Sequence, residues 1–250
     1  MEFVQLSVDD GIATVALNRP KVNAINEQVV SELRDVFREL ALDKRVKAVI
    51  LTGRGSFFSF GFDIPGFIDY PKEEFHRFIL SFSDLVQRIF VFPKPVIAAL
   101  NGHAVAGGCV LAIACDRRIM ATGKAKIALN ELTLGASVFT SIAEILKYTV
   151  GPRTAQLLLY TGRMNSAEEA LAMGLVDKVV TAEDVNDAAL GAANELSGWD
   201  VFAFGSVKRL LRKEALDRIE NHEKGSVSDF VDIWYSENTW EKLKKIEIRG

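Results

Sequence analysis

The chain has 250 residues, of which 49% are hydrophobic and 25% are charged. This composition is typical of one large globular domain or two small ones and excludes a largely disordered chain. The formal charge of −3 gives no electrostatic reason to expect a nucleic acid as partner, and the apolar stretches are far shorter than the roughly 20 residues of a membrane span.

The chain opens with a predicted β-hairpin. Residues 3–8 and 12–17 are two short alternating runs, and Asp9-Asp10-Gly11 between them favours a tight turn. An amphipathic helix follows, with Asn26 as its N-cap. Its apolar face consists of Val29, Leu33, Val36, Phe37 and Leu40. Residues 48–51 form a short apolar run, which predicts a buried strand.

A second long helix and a second buried strand are predicted in the middle of the chain. Residues 53–70 show no sustained period. Pro71 then lies near the start of a helix whose apolar positions form one stripe. The stripe consists of Phe75, Phe78, Ile79, Phe82, Leu85, Val86 and Ile89. Residues 96–100 predict a buried strand, and the segment after Gly107-Gly108 has helical composition.

The rest of the chain is increasingly helical. Short strands are predicted at 119–121, 126–129 and 176–180, while helices dominate from Ser141 onward. Strand and helix alternate over the first two thirds, which predicts an α/β fold. We expect residues 1–180 to form the core and residues 181–250 a helical region. Its helices are expected to carry exposed apolar side chains, which either pack on their own domain or form a subunit interface. Examples are Phe230, Ile233, Trp234, Tyr235 and Trp240.

Several common catalytic motifs are absent. The segment starting at Gly53 resembles a dinucleotide-binding fingerprint, but Phe58 replaces its third glycine. The sequence contains no P-loop, no GxSxG elbow and no HExxH motif. Cys109 and Cys115 lack the spacing of a zinc site, so no metal is expected. They are interpreted as buried thiols in a reducing compartment.

Two glycine-containing segments are the candidates for chemistry. Residues 59–63 and 102–108 each follow a predicted buried strand, where ligands of α/β proteins tend to bind. Gly107-Gly108 at a helix start would present free backbone N–H groups. Two such groups from separate loops can converge on one oxygen as an oxyanion hole. The alternative is that these glycines serve tight packing or turns.

Six stretches together resemble the crotonase (enoyl-CoA hydratase/isomerase) superfamily. They are residues 17–25, 49–53, 58–63, 93–99, 101–111 and 170–176. The resemblance runs from about Phe3 to the end of the chain, and the order and spacing of the motifs make it specific. It implies a crotonase-like spiral of ββα units, followed by a helical region that builds a homotrimer or a hexamer.

The resemblance also implies an acyl-CoA thioester as substrate. Its carbonyl would be held by the backbone N–H groups of Phe62 and Gly107, which match the family's oxyanion-hole positions. Coenzyme A is part of the substrate, so no further cofactor is expected. Residues of the matching segments and their surroundings are candidates for substrate binding. The candidates for the CoA phosphates are Arg19, Lys21, Arg54 and lysines between Lys242 and Lys245. Phe139 is a candidate for filling the acyl pocket. The set assigned to substrate binding is Ser59, Gly61, Asp63, Asn130, Lys21, Val22 and Phe139.

The choice of reaction depends on two positions. Hydratases of the family use two glutamates, and this chain has Val110 at the first position and Glu131 at the second. The sequence around Asn130-Glu131 is most similar to mitochondrial-type Δ3,Δ2-enoyl-CoA isomerases, which use a single glutamate. The resemblance therefore implies that Glu131 moves a proton from C2 to C4 of a 3-enoyl-CoA. Apolar neighbours would raise the pKa of its carboxyl.

Other interpretations remain open at this stage. Hydration, decarboxylation or thioester hydrolysis would need a second polar group, for which the candidates are His103, Asp63, Asp69 and Glu144. A non-catalytic acyl-CoA-binding protein would use the same backbone sites without turnover. Glu131 itself could be a surface glutamate, which is the usual place for this residue type.

The start of the sequence is neither basic nor followed by an apolar run, so it predicts no secretory signal or transit peptide. We expect a cytoplasmic protein of bacterial type. A mature mitochondrial or peroxisomal protein would show the same features.

Overall fold

The computed structural model describes residues 1–246, and these contain two β-sheets. The larger sheet has six strands in the order β1 (Val4–Asp9), β2 (Ile12–Leu17), β3 (Ala48–Gly53), β5 (Val96–Leu100), β7 (Arg117–Ala121) and β9 (Lys178–Val180). The smaller sheet consists of β4 (Phe57–Ser59), β6 (His103–Val105) and β8 (Ile127–Ala128). All neighbouring strands are parallel except β1 and β2.

Nine helices surround the sheets within these residues. They are α1 (Glu27–Leu42), α2 (Ile64–Phe67), α3 (Lys72–Phe90), α4 (Gly107–Ala114), α5 (Thr140–Thr161), α6 (Ala167–Ala172), α7 (Val185–Ser197), α8 (Val201–Trp234) and α9 (Glu237–Leu243). A 3₁₀ turn, Glu131–Leu134, lies between β8 and α5.

The architecture repeats a ββα unit three times. In each unit a strand of the larger sheet is followed by a strand of the smaller sheet and then by a helix. The units are β3-β4-α3, β5-β6-α4 and β7-β8-α5, with the short α2 inserted into the first. The predicted α/β fold and the expected spiral of ββα units are confirmed.

The hairpin forms as its turn residues predict. β1 and β2 pair in register from Val4 opposite Leu17 to Asp9 opposite Ile12. The turn between them has Asp10 at φ 41° and Gly11 at φ 79°. Two successive positive φ values match the right-handed twist of a hairpin, and aspartate followed by glycine adopts them at low cost.

The two long helices of the core also follow their sequence patterns. Asn26 caps α1, because its side-chain oxygen accepts a hydrogen bond of 3.0 Å from the N–H of Val29. All predicted apolar positions of α1 and α3 are buried. The two helices pack against each other and bury these faces in one hydrophobic core.

A buried ion cluster joins α8 to the core. Asp116 accepts from Lys208 Nζ at 2.7 Å and from Arg212 Nη2 at 2.9 Å, and its carboxylate also accepts the N–H of Val96 at 2.8 Å. The three charged side chains are 4–11% exposed. The carboxylate therefore neutralises two cations that α8 brings into the interior.

The apolar side chains of the C-terminal region divide into two groups, which corrects part of the prediction. Phe230 and Trp234 are not exposed but 2% and 3% accessible, because they stack with Phe75 of α3. Ile233 is exposed as predicted, and further exposed apolar side chains lie just before α8, along α8 and on α5. They include Trp199, Phe202, Val207, Leu210 and Leu211 with Leu157 and Tyr160.

None of the helices within residues 1–246 has the length and apolar content needed to cross a bilayer.

Candidate active site

A cavity of about 560 Å³ contains most of the predicted catalytic groups. Its volume is typical of a small-molecule site, and its wall is mainly apolar. The aromatic part of the wall consists of Phe57, Phe60, Phe62, Phe82, His103, Phe139, Phe230 and Trp234. The lining residues come from the segments around β4 and β6, from the turn after β8, and from α3, α5 and α8.

Glu131 lies in the wall of this cavity and is half-buried. It begins the 3₁₀ turn that follows β8. Its Oε2 atom is buried and has no hydrogen-bond partner among residues 1–246. Burial raises the pKa of the carboxyl from 4.5 to about 7, since the charged form loses its solvation. Such a group can both accept and return a proton near neutral pH.

The side-chain oxygen of the neighbouring Asn130 also lacks a hydrogen-bond partner among the described residues. Asn130 occupies the N-cap position of the 3₁₀ turn but makes no side-chain cap hydrogen bond. Its Oδ1 atom is buried without a partner among the described residues, and the residue lines the cavity. Asparagine usually caps such a turn, so this carboxamide is free to bind a group in the cavity.

The two predicted oxyanion-hole positions come from loops that touch. Phe62 follows Gly61, and Gly107 is the first residue of α4. Neither N–H donates to a main-chain carbonyl within the described part of the chain. A Cβ atom at Gly61, whose φ is 91°, would lie only 3.2 Å from the nitrogen of Gly107. Glycine therefore allows the two donors to come together at the N-terminus of a helix.

The residues around Gly107 explain why this loop needs small side chains. A Cβ atom at Gly108 would lie 2.3 Å from the carbonyl oxygen of Ser59, so α4 packs directly on β4. Ala106 adopts φ 47° and ψ −121°, a conformation that a residue with a Cβ atom rarely adopts. The backbone is thus strained immediately before the Gly107 donor, as is common at functional sites.

Several predicted substrate-binding residues lie behind the cavity wall. The hydroxyl of Ser59 donates to the carbonyl of Asn23 at 2.8 Å and accepts from the N–H of Gly61 at 3.3 Å. Asp63 pairs with Arg19 at 2.5 Å and caps α2. These contacts shape the Phe62 loop because they tie it to the segment before α1. Ser59, Gly61 and Asp63 therefore support the wall and do not line it.

The other predicted contacts differ in position. Val22, Asn130 and Phe139 line the cavity. Phe139 is 1% exposed, and its ring meets that of Phe230 edge to face at 5.5 Å. Lys21 lies outside the wall and is exposed, with a φ of 72°. It forms no ion pair within residues 1–246.

The phenylalanines of the first loop divide between the cavity and the core. Phe57, Phe60 and Phe62 line the cavity. Phe58 and Phe67 are 0% and 1% exposed and pack in the core. The cluster therefore contributes to both the cavity wall and the core, through different members.

Most candidates for a second polar group form ion pairs or lie outside the cavity wall. Asp63 pairs with Arg19, and Glu144 pairs with Lys147. Asp69 is exposed and lies outside the cavity wall. Val110, which the resemblance places at the first glutamate position of hydratases, is fully buried and lines the cavity.

His103 is the remaining candidate in the wall. Its ring lies 5.1 Å from that of Phe57 and 6.2 Å from that of Phe60. Nδ1 is buried and lacks a partner among residues 1–246. Burial, together with the nearby charge of Lys126, lowers the pKa of the imidazole. Burial thus favours the neutral form of the ring, in which one of the two nitrogens is a hydrogen-bond acceptor.

Several wall residues were not predicted as parts of the site, among them three aromatic side chains on helices. Phe82 belongs to α3, and Phe230 and Trp234 belong to α8. Their spacing marks them as apolar faces of helices, and nothing in a helical period tells which face borders a cavity. No group of three or more His, Cys, Asp or Glu side chains within the described residues could hold a metal ion.

Comparison with known proteins connects this geometry to one family. Residues 7–241 match the family described as enoyl-CoA hydratase/isomerase. The chain is 35% identical to a short-chain-enoyl-CoA hydratase of Clostridium acetobutylicum over 217 residues, 86% of this chain and 81% of that protein. It is 30% identical to human mitochondrial enoyl-CoA delta isomerase 1 over 233 residues, 92% of this chain and 77% of that protein.

A solved structure gives the same relationship at the level of the fold. The crystal structure of human mitochondrial Δ3-Δ2-enoyl-CoA isomerase aligns with a TM-score of 0.93 at 29% identity. The alignment covers 97% of this chain and 95% of the human chain. The relatives carry two reaction names, so the side chains of the cavity must distinguish between the reactions.

Proposed function

The chain belongs to the enoyl-CoA hydratase/isomerase family, and within it we propose that this protein converts 3-enoyl-CoA to 2-enoyl-CoA. One observation carries the proposal. Among residues 1–246 the cavity lining has one carboxyl, Glu131, whose pKa is raised to about 7, and Val110 lies where the resemblance places the first glutamate of a hydratase. Moving a double bond needs one group that takes and returns a proton, and Glu131 is that group.

The proton transfer balances within the substrate. The Glu131 carboxylate takes the proton from C2, and the C2–H electron pair forms a dienolate with its negative charge on the thioester oxygen. The same carboxyl then gives the proton to C4. The electrons of the C3=C4 bond form the new C4–H bond, the C2=C3 bond forms, and the thioester carbonyl is restored.

The backbone donors stabilise the dienolate. The N–H groups of Phe62 and Gly107 would hold the thioester oxygen, on which the negative charge develops. One such donor contributes about 3–4 kcal/mol to the stabilisation of a transition state. The strained backbone at Ala106 fixes the direction of the Gly107 N–H before the substrate binds.

The walls of the cavity favour isomerisation over hydration. Hydration needs a water molecule that is held and activated, and Val110 can do neither. The aromatic walls would bind the acyl chain, with Phe139 and Phe230 limiting the space at one side. No cofactor is needed in this scheme, because the CoA portion belongs to the substrate.

One observation supports a second reaction of the family. The free Nδ1 of His103 lies in the same wall as Glu131, and a neutral imidazole can accept a proton from water. Hydration, or hydrolysis of the thioester, would use this nitrogen. A measurable decrease of 2-enoyl-CoA that is lost in His103→Ala would favour this candidate.

We also propose that the protein assembles as a homotrimer or a hexamer. The exposed apolar side chains of α5 and α8 form the surface that supports this assembly, since large apolar patches on soluble proteins are commonly interfaces.

The direct test of the base is Glu131→Gln. The variant keeps the size of the side chain but cannot accept a proton as a carboxylate does. We expect it to lose isomerisation of 3-enoyl-CoA by at least about 1,000-fold, while a saturated acyl-CoA binds as it does to the wild type. Calorimetric titration gives the binding and absorbance of the conjugated product gives the rate. Full activity of the variant would contradict the proposal.

A further inference from the structure

The position of the Glu131 side chain depends on the backbone that carries it. Its Oε2 atom has no hydrogen-bond partner among residues 1–246, and no ion pair holds the carboxylate there. The orientation of the proposed base is therefore set by the 3₁₀ turn Glu131–Leu134 and by whatever fixes that turn.

The turn contributes little rigidity of its own. Its internal hydrogen bonds connect Thr133 to Asn130, Gly135 to Leu132 and Ala136 to Glu131, each with an N···O distance of 3.0 Å. Residues 136–139 then lead to α5 without regular structure. A 3₁₀ segment this short has poor hydrogen-bond geometry, so contacts from outside decide where it lies.

The C-terminal helix α9 makes such a contact at the end of the turn. The hydroxyl of Thr239 donates to the carbonyl of Gly135 at 2.7 Å. Thr239 is 1% exposed, so water does not compete for this bond. A Cβ atom at Gly135, where φ is 81°, would lie 3.1 Å from the Thr239 hydroxyl oxygen. The glycine thus permits the close approach of α9 to the turn.

Helix α8 fixes the other end of the same connection. The N–H of Thr140 donates to the hydroxyl of Ser226 at 2.9 Å, and the N–H of Ser141 donates to Glu223 Oε2 at 2.7 Å. Both N–H groups belong to the first turn of α5 and would otherwise lack partners. Residues 135–141 are therefore held at both ends by the C-terminal helices of the same chain.

We propose that Thr239 is a positioning residue for Glu131, and that α9 is thereby a working part of the active site of its own chain. The Thr239 hydroxyl holds the end of the turn at Gly135, which keeps the carboxyl directed into the cavity and shielded from water. The proposal uses the proposed function only in taking Glu131 as the base.

The test is Thr239→Val, which keeps the shape of the side chain and removes the hydroxyl. The Gly135 carbonyl then lacks its donor, and the turn moves or loosens. We expect kcat for 3-enoyl-CoA to fall by about tenfold to 100-fold, with KM changed by less than about twofold. Thr239→Ser keeps the hydroxyl and should restore kcat. Thr149→Val is the matched control, because it removes a 2.8 Å hydroxyl–carbonyl bond between Thr149 and Ile145 within α5, outside the cavity wall.

A second measurement does not depend on turnover. The titration of the Glu131 carboxyl is followed by NMR in protein with ¹³C-labelled glutamate and is assigned by its loss in Glu131→Gln. In Thr239→Val the looser turn admits water, so the pKa of Glu131 should fall by at least about one pH unit. Thr239→Ser and Thr149→Val should titrate like the wild type.

The outcomes separate this proposal from the proposed function. Absent isomerisation by the wild type would count against the function, whereas the titration would still report on Thr239. An unchanged Glu131 titration and kcat in folded Thr239→Val would overturn the positioning role. A Thr239→Ser variant as impaired as Thr239→Val would also overturn it.

If Thr239→Val does not fold, Gly135→Ala displaces the turn from the same hydroxyl. It should then lower the Glu131 pKa, and an unchanged titration would overturn the proposal.

Discussion

The carboxyl of Glu131 makes the pH dependence of the reaction predictable. Only its ionised form accepts the C2 proton, and burial raises its pKa to about 7. We therefore expect kcat/KM to rise through a limb near pH 7 and to fall about tenfold per pH unit below it. A pH–rate profile of the purified protein measures this limb.

A different pH limb is expected if the Glu131 carboxyl is solvated. A limb near pH 4.5 would show that the carboxyl is hydrated in the free protein, and the dry cavity would then not explain the reaction. Lys208, whose pKa burial lowers to about 8, lies outside the cavity wall and should not affect the acid limb.

At the scale of single residues, short sequence motifs predicted more of the candidate site than helical periodicity did. Glu131 and the two backbone donors were predicted because each lies in a short segment with a recognisable order of residues. Phe82 and Trp234 reach the cavity from distant helices, and an apolar helical position looks the same whether it borders a cavity or a packed core. Ser59 and Asp63 share the motif of the Phe62 loop but support it from behind.

At the scale of elements, the ion cluster that holds α8 gives a stability prediction. Asp116→Asn removes the charge that neutralises Lys208 and Arg212, which stay buried. Loss of one partner from a buried ion pair costs about 3–5 kcal/mol. We expect the free energy of unfolding in urea to fall by about that amount.

A matched exposed pair is the control for this prediction. Asp217 pairs with Lys213 at 2.5 Å on the surface of α8, and Asp217→Asn should leave the unfolding midpoint nearly unchanged because exposed pairs contribute little. Equal effects of the two substitutions would show that the cluster at Asp116 does not anchor the helix.

Strands and helices were predictable where the hydrophobic pattern of the sequence extended over many residues. The hairpin, α1 and α3 follow from alternation, caps and helical periods that extend over many residues. β4 and β6 have three residues each, too few for a period, and both form only because they pair in parallel with distant segments. The residues that surround the cavity begin at these short strands, so the site was less predictable than the core.

At the scale of the whole molecule, the exposed apolar surface predicts assembly. The wild type should sediment at three or six times the mass of one chain. Replacing Leu210 and Leu211, which are 72% and 66% exposed, by glutamate should yield monomers, since the charges would be buried in an interface. Leu42→Glu, at an equally exposed leucine on α1, is the control and should not change the assembly.

A monomeric wild type at micromolar concentration would contradict this assignment of the surface.

The helical character of the last third follows from its sequence pattern. The spiral and the trimer or hexamer were expected only through the family resemblance, because the pairing of each ββα unit with the next depends on contacts far apart in the chain.

The most direct test of the account compares two substrates with the purified protein. Absorbance of the conjugated thioester is followed with a 3-enoyl-CoA and, separately, with a 2-enoyl-CoA. We expect the absorbance to rise with the first and to stay constant with the second, because Glu131 moves a proton and Val110 cannot activate water. A fall with the 2-enoyl-CoA would show hydration, and no change with either substrate would contradict the isomerase.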